Sequence, residues 1–168
     1  RICAEGLEQY RETLRANHRC DFARLLEQFI DFIGSDAGQR FINGEPDRER
    51  PPLEHILVDE YQDTNPLQQE LYFRLTEAID KPNLTVVGDD DQALYRFRGG
   101  TVECLIQFPD RAEDRFGATV QREQLSTNYR STKDIVDWCN RYMNDYPLMQ
   151  REGARAPDKE PMKIGRED

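Results

Sequence analysis

An α/β fold with a mostly parallel sheet flanked by helices is what this sequence predicts, on three observations. Two short apolar runs, Ile56-Leu57-Val58 and Leu84-Thr85-Val86-Val87-Gly88, lead directly into carboxylates, Asp59-Glu60 after the first and Asp89-Asp90-Asp91 after the second. A buried parallel strand has this appearance when its carboxyl end opens onto a ligand crevice. Around both runs lie segments with a 3.6-residue apolar repeat, long enough to act as crossover helices, and strands joined in that way lie parallel.

Taken in order, Leu7, Tyr10 and Leu14 mark an amphipathic helix over residues 3–17. Asp21 caps a second helix, whose apolar residues Phe22, Leu25, Leu26, Phe29, Ile30 and Ile33 follow the helical repeat and which Gly34 stops. Ser35 to Pro52, rich in Gly, Pro and charge, reads as a surface connection with a short helical turn near Gln39 to Ile42. Leu53 to Asp59 is the first strand. Asn65 and Pro66 supply the cap and first-turn proline of a helix to about Ile79, with Leu67, Leu71 and Leu75 on one face. Leu84 to Gly88 is the second strand. Thr101 caps a short helix over Val102, Leu105 and Ile106, and Val120 to Ser126 alternates as a third strand would. Ser131 with Asp134 starts a last helix carrying Ile135, Val136, Cys139 and Tyr142.

With 168 residues, 37% of them hydrophobic, there is material for one domain with a real core. No run of about 18 apolar residues occurs, and no charged-then-apolar leader suggests secretion, so the cytoplasm is the expected location. Cys3, Cys20, Cys104 and Cys139 are far apart with no Cys-x-x-Cys, which argues for reduced thiols and against a structural zinc site. A net charge of −10 weighs against a free-standing nucleic-acid binder, so any such binding falls to local groups. The start at Arg1 and the charged, proline-containing end suggest a piece of a larger protein.

Three polar clusters follow the three expected strands: Asp59-Glu60, then Gln92 with Tyr95-Arg96-Phe97-Arg98-Gly99-Gly100, then Asn128-Tyr129-Arg130. Phosphoryl transfer needs a metal ligand, a group that positions or deprotonates water, a polar contact to the terminal phosphate and a cation for developing charge. Asp59, Glu60, Gln92 and Arg130 could fill those roles in that order. Tyr95 and Phe97 alternating with arginines suit a nucleic-acid strand whose bases stack while its phosphates meet guanidinium groups. Each cluster also has an ordinary reading: an acidic loop after a core strand, a core Tyr and Phe beside solvated arginines, and an aromatic flanking a strand beside a surface arginine.

The segments Ile56 to Asn65, Val87 to Gly100 and Leu125 to Thr132 closely resemble motifs II, III and IV of the UvrD/Rep-type superfamily 1 DNA helicases. Asp21-Phe22 with Leu25-Leu26 is similar to the segment preceding motif II, so the resemblance runs from about Cys20 to Met143. It implies a partial RecA-like (P-loop NTPase) domain in which Asp59 holds the Mg²⁺ of bound ATP and Glu60 activates the hydrolytic water. Gln92 would sense the γ-phosphate, Tyr129 would stack on adenine, and Arg130 would reach the γ-phosphate. Tyr95, Phe97 and Arg98 would contact single-stranded DNA.

The implied organisation has residues 1–34 as the end of an inserted helical subdomain, 35–146 as a motor-domain fragment and 147–168 as a linker toward a second motor domain. The implied activity is ATP-driven 3′-to-5′ movement on single-stranded DNA with duplex unwinding, in DNA repair or replication. Phe97 stands where the best-known members carry tryptophan, and Ala93 replaces a usual serine. No Gly-x-x-x-x-Gly-Lys-Ser/Thr loop occurs in the sequence, so this piece alone is expected not to hydrolyse ATP. Three rival readings are the motor part of a helicase-nuclease, a catalytically silent binding module, and a metal-dependent nuclease using Asp59, Glu60 and Asp89 to Asp91.

Overall fold

The computed structural model describes residues 2–45, 49–93, 101–151, 155–156 and 158–166. They form α/β architecture in two compact units, residues 1–54 with 70–83 and residues 55–69 with 84–168. Among the described residues no helix is long and apolar enough to cross a membrane.

The first unit is helical. Helix α1 (Ile2–Ala16) leaves Leu7 and Tyr10 about half exposed, and α2 (Phe22–Ile33) begins where Asp21 Oδ1 accepts the Arg24 amide at 2.7 Å. Gly34 ends α2 as expected. The stretch expected to be mostly connection instead holds a two-turn helix, α3 (Asp36–Asn43), capped by Ser35, whose Oγ accepts the Gly38 amide at 3.1 Å. Packing overrides composition here. Ile33 and Ile42 are buried, Phe32 lies 6.2 Å from Phe41, and a Cβ at Gly38 would sit 1.9 Å from the Phe32 carbonyl oxygen. Only glycine lets the two helices approach this closely.

The second unit carries the strands. Strand β1 (Ile56–Val58) pairs in parallel with β2 (Leu84–Val86), Ile56 opposite Leu84 and Val58 opposite Val86. Backbone bonds from Val87 N to Val58 O (2.8 Å) and Tyr61 N to Val87 O (2.9 Å) extend the pairing into the loops that follow. Between these strands α4 (Pro66–Ala78) opens with a reciprocal cap, in which Gln68 N donates to Asn65 Oδ1 and Asn65 N to Gln68 Oε1, each at 2.9 Å. Ile56 and Val58 are half-buried while Leu57 between them is 76% exposed, so β1 is covered on one face rather than on both as expected.

Helices α5 (Val102–Ile106) and α6 (Phe108–Phe116) supply the apolar cover. Val102, Cys104, Phe108 and Ala112 are buried, and Phe108 meets the buried Tyr61 ring edge to face at 5.3 Å. Thr101 precedes α5 without a side-chain capping bond, its hydroxyl donating instead to Cys104 Sγ at 3.3 Å. Buried Gln69 donates to Tyr61 Oη and to the Cys104 carbonyl, and it accepts from Arg111, so its amide is fully used.

Val120 to Ser126 does not form the expected strand. Among the described residues no backbone-to-backbone bond to another segment holds it until Ser126, where Lys163 N donates to the Ser126 carbonyl at 2.8 Å; before that only side-chain bonds, such as those of Gln124 with the Asp158 carbonyl and the Glu160 amide, hold it. The ladder proper is β3 (Thr127–Asn128) in parallel with β4 (Lys163–Ile164). Helix α7 (Lys133–Asp145) starts one residue later than Ser131 would have set it, with Thr132 at the cap position, and the Ser131 amide donates to Asn128 Oδ1 at 2.8 Å. Asn140 and Met162 exchange two hydrogen bonds, tying the segment before β4 to α7.

Candidate functional site

The parallel pairing of β1 with β2 brings the ends of the two strands side by side, and with them the first two polar clusters. Past β1, Glu60 takes a left-handed backbone conformation (φ 50°, ψ 42°), and its amide donates to Asp59 Oδ1 at 2.9 Å. One turn on, the side chain of Gln62, only 3% exposed, spans the gap between the clusters. Its Nε2 donates to Glu60 Oε2 at 2.6 Å, and its Oε1 accepts the Asp89 amide at 3.0 Å. Asp89 Oδ2 in turn accepts from Gln92 Nε2 at 2.6 Å. A continuous path of hydrogen bonds therefore runs Glu60, Gln62, Asp89, Gln92. Gly88 keeps it open, since a Cβ there would lie 2.8 Å from Gln62 Oε1 and 3.2 Å from Gln62 N.

Asp59 and Glu60 are exposed, and among the described residues no cation pairs with either. An exposed carboxylate at a strand end, with one oxygen spare and no counter-charge, suits a metal held chiefly by its other ligands and by water. Among the described residues no group of three or more His, Cys, Asp or Glu could hold a metal ion by itself. An ion held at Asp59 or Glu60 would need further ligands from outside this pair.

The second acidic run is differently placed. Lys159 Nζ lies 2.5 Å from Asp89 Oδ1, 2.5 Å from Asp90 Oδ1 and 2.9 Å from Asp91 Oδ2. Arg155 Nη2 donates to Asp91 Oδ2 at 3.0 Å, and its Nε makes a 2.7 Å charge contact with Oδ1 outside hydrogen-bond geometry. The Ala156 amide adds a bond to Asp90 Oδ2 at 2.6 Å. Burial is the largest influence on Asp89 and pushes its pKa up, but the hydrogen bonds from Lys159 and Gln92 outweigh it and hold the carboxyl below its ordinary value. For Lys159 burial favours the neutral amine, and bonds to the three carboxylates reverse that, so the ammonium keeps its proton above the usual lysine value. Three carboxylates already matched to two cations are poor metal ligands, which weakens the nuclease reading.

The third cluster sits on the other strand pair. Asn128 Oδ1 accepts the Arg130 and Ser131 amides at 2.9 and 2.8 Å, shaping the turn after β3. Tyr129 is 74% exposed and Arg130 is exposed. Among the described residues no hydrogen bond or ion pair links Tyr129 or Arg130 to Glu60 or Gln92. The structure thus joins Asp59, Glu60 and Gln92 through their neighbours and leaves Tyr129 and Arg130 outside that network. Tyr95, Phe97 and Arg98 lie outside the described residues.

Sequence reasoning did not single out Gln62, Arg155 or Lys159. Gln62 lies inside a quoted motif, but its burial has no sequence signature. Lys159 is 70 residues from Asp89 in a stretch without periodicity, and nothing local marks it.

Residues 1–113 match the UvrD/REP helicase N-terminal domain family. The chain is 31% identical over 155 residues to a probable DNA helicase II homolog of Mycoplasma capricolum, covering 92% of this chain and 20% of that protein. It is 33% identical over 147 residues to DNA helicase IV of Escherichia coli, covering 88% and 19%. Against the ATP-dependent DNA helicase PcrA of Leuconostoc citreum the identity is 34% over 143 residues, covering 84% and 17%. The chain spans about a fifth of the length of these curated relatives.

Proposed function

This chain belongs to the UvrD/REP helicase N-terminal domain family, and from that premise we propose that it is part of the first motor domain of an ATP-dependent DNA helicase or translocase. The motor would move 3′ to 5′ on single-stranded DNA and unwind duplex, in repair or replication, in the cytoplasm. The proposed division is residues 1–34 as the end of an inserted helical subdomain, 35–146 as motor-domain fragment and 147–168 leading toward a second motor domain.

In this reading Asp59 holds the Mg²⁺ that accompanies ATP, which when bound polarises the phosphate oxygens. Glu60 orients and deprotonates the attacking water, Gln92 contacts the γ-phosphate, Tyr129 stacks on adenine and Arg130 meets the charge that develops on the γ-phosphate. Tyr95, Phe97 and Arg98 grip single-stranded DNA. Tyr129 and Arg130 would have to join Glu60 and Gln92 when nucleotide binds. The P-loop that cradles the phosphates would come from elsewhere in the same protein.

The observation that carries the proposal is the hydrogen-bonded path from Glu60 through Gln62 and Asp89 to Gln92. It ties the proposed water-activating carboxylate to the proposed phosphate contact. Replacing Glu60→Gln in the full-length protein removes the base and keeps the metal ligand, so ATP turnover should be lost while nucleotide binding persists. Normal turnover in that variant would rule out the assignment.

A further inference from the structure

Asp89 occupies a junction. Its amide anchors Gln62, which holds Glu60, and its carboxylate holds Gln92 through Oδ2 while Oδ1 takes the Asp91 amide at 3.1 Å and the Lys159 ammonium. We propose that Lys159 is a positioning residue for Gln92: by neutralising Asp89, Asp90 and Asp91 together, it fixes the Asp89 carboxylate in the orientation that captures the Gln92 amide. This proposal rests on the reading of Gln92 as the γ-phosphate contact for its consequence in turnover, and on geometry alone for the contact itself.

The physical case is one of crowded charge. Three consecutive carboxylates on one short turn repel one another, and like charges at this spacing favour protonating or turning away one of the set. Lys159 reaches all three from 68 or more residues along the chain and is itself largely covered, with 24% of its side chain exposed. A charge-assisted bond in such a place is stronger and more directional than one in water. With the ammonium present Asp89 stays ionised and offers Oδ2 to Gln92. Without it Asp89 has reason to rotate, and the Gln92 amide loses its acceptor. The lowered pKa of Asp89 agrees with this. Arg155 cannot substitute, because it engages Asp91 alone among the three.

A structural role only, in which Lys159 merely fastens residues 155–166, makes different predictions. The test follows the side-chain amide signals of Gln62 and Gln92 by NMR in the 168-residue chain, with amide exchange of residues 158–166 read alongside. In Lys159→Gln the Gln92 side-chain amide should shift and exchange roughly tenfold faster, as loss of one charge-assisted bond implies, and Lys159→Arg should restore it. Asp89→Ala removes the acceptor but leaves Lys159 on Asp90 and Asp91, so it should release Gln92 while residues 158–166 stay protected. It also keeps the proposal testable should Lys159→Gln fail to fold. An unmoved Gln92 signal in either folded variant, or loosening of residues 158–166 alone, overturns it. In the full-length protein Lys159→Gln should lower kcat with little change in KM. Absence of turnover in the unmutated protein would instead sink the motor reading and leave the amide result standing.

Discussion

Glu60 holds φ 50° and ψ 42°, where the Cβ of an L-residue crowds its own backbone. A non-glycine residue kept there costs on the order of 1–3 kcal/mol and persists only where the surroundings over-determine it. At Glu60 those surroundings are visible: the amide is held by Asp59, the side chain by Gln62, and Tyr61 next to it is fully buried. The sequence reading selects Glu60 for chemistry from the two adjacent carboxylates after an apolar run. The strain was not readable, since it depends on where Tyr61 and Gln62 are buried. Glu60→Ala keeps the strain and loses the bond to Gln62, whereas Glu60→Gly loses the same bond and relieves the strain. Glu60→Gly should therefore be more stable than Glu60→Ala by about 1 kcal/mol, measured as a difference in urea denaturation. Equal stability would mean that the left-handed turn stores nothing.

Helices α1, α2, α4 and α7 are legible because each carries a 3.6-residue apolar repeat, reinforced by local caps at α2, through Asp21 and Gly34, and at α4, through Asn65. Helix α3 is not, because Gly38 in its first turn looks like a loop residue until the Phe32 carbonyl is seen against it. Nor is α6, where Pro109 and five charged residues between Phe108 and Phe116 disguise a helix whose buried face is small. Val120 to Ser126 fails in the opposite sense, since alternation describes a strand but only a partner makes one. The cap of α2 gives a prediction at this scale. Asp21 accepts the Arg24 amide first and the Tyr10 hydroxyl second, and both lower its pKa; the Tyr10 hydroxyl, donating to that carboxylate, has its own pKa raised. A folded-state pKa below the unfolded one contributes stability that is present above the unfolded value and is lost as pH falls through the folded one. The start of α2 should therefore loosen only in acid below the ordinary carboxylate range, seen as faster exchange of the Arg24 amide there. Asp21→Asn keeps a good cap without a titrating group and should flatten that acid dependence. An unchanged profile in Asp21→Asn would place the transition on another group.

At the scale of the molecule, a net charge of −10 describes the chain correctly and its working parts poorly. Asp89, Asp90 and Asp91 contribute to that sum, yet locally they are matched by Lys159 and Arg155, a pairing across 64 to 70 residues that no window of sequence contains. Among the described residues no cation pairs with the exposed carboxylates Asp59 and Glu60, and such a pair repels a bare nucleoside triphosphate unless Mg²⁺ and a phosphate-binding loop compensate. Neither the backbone amides of a P-loop nor its lysine can come from this sequence, because the pattern does not occur in it. The 168-residue chain, incubated with Mg²⁺ and ATP, should accordingly show no turnover above buffer, with or without single-stranded DNA. The full-length protein under the same conditions should turn over ATP, and DNA should stimulate it. Measurable turnover by the 168-residue chain, abolished in Glu60→Gln, would mean that Asp59, Glu60 and Gln92 suffice without the loop. The cradle for the phosphates would then have to be sought among these residues.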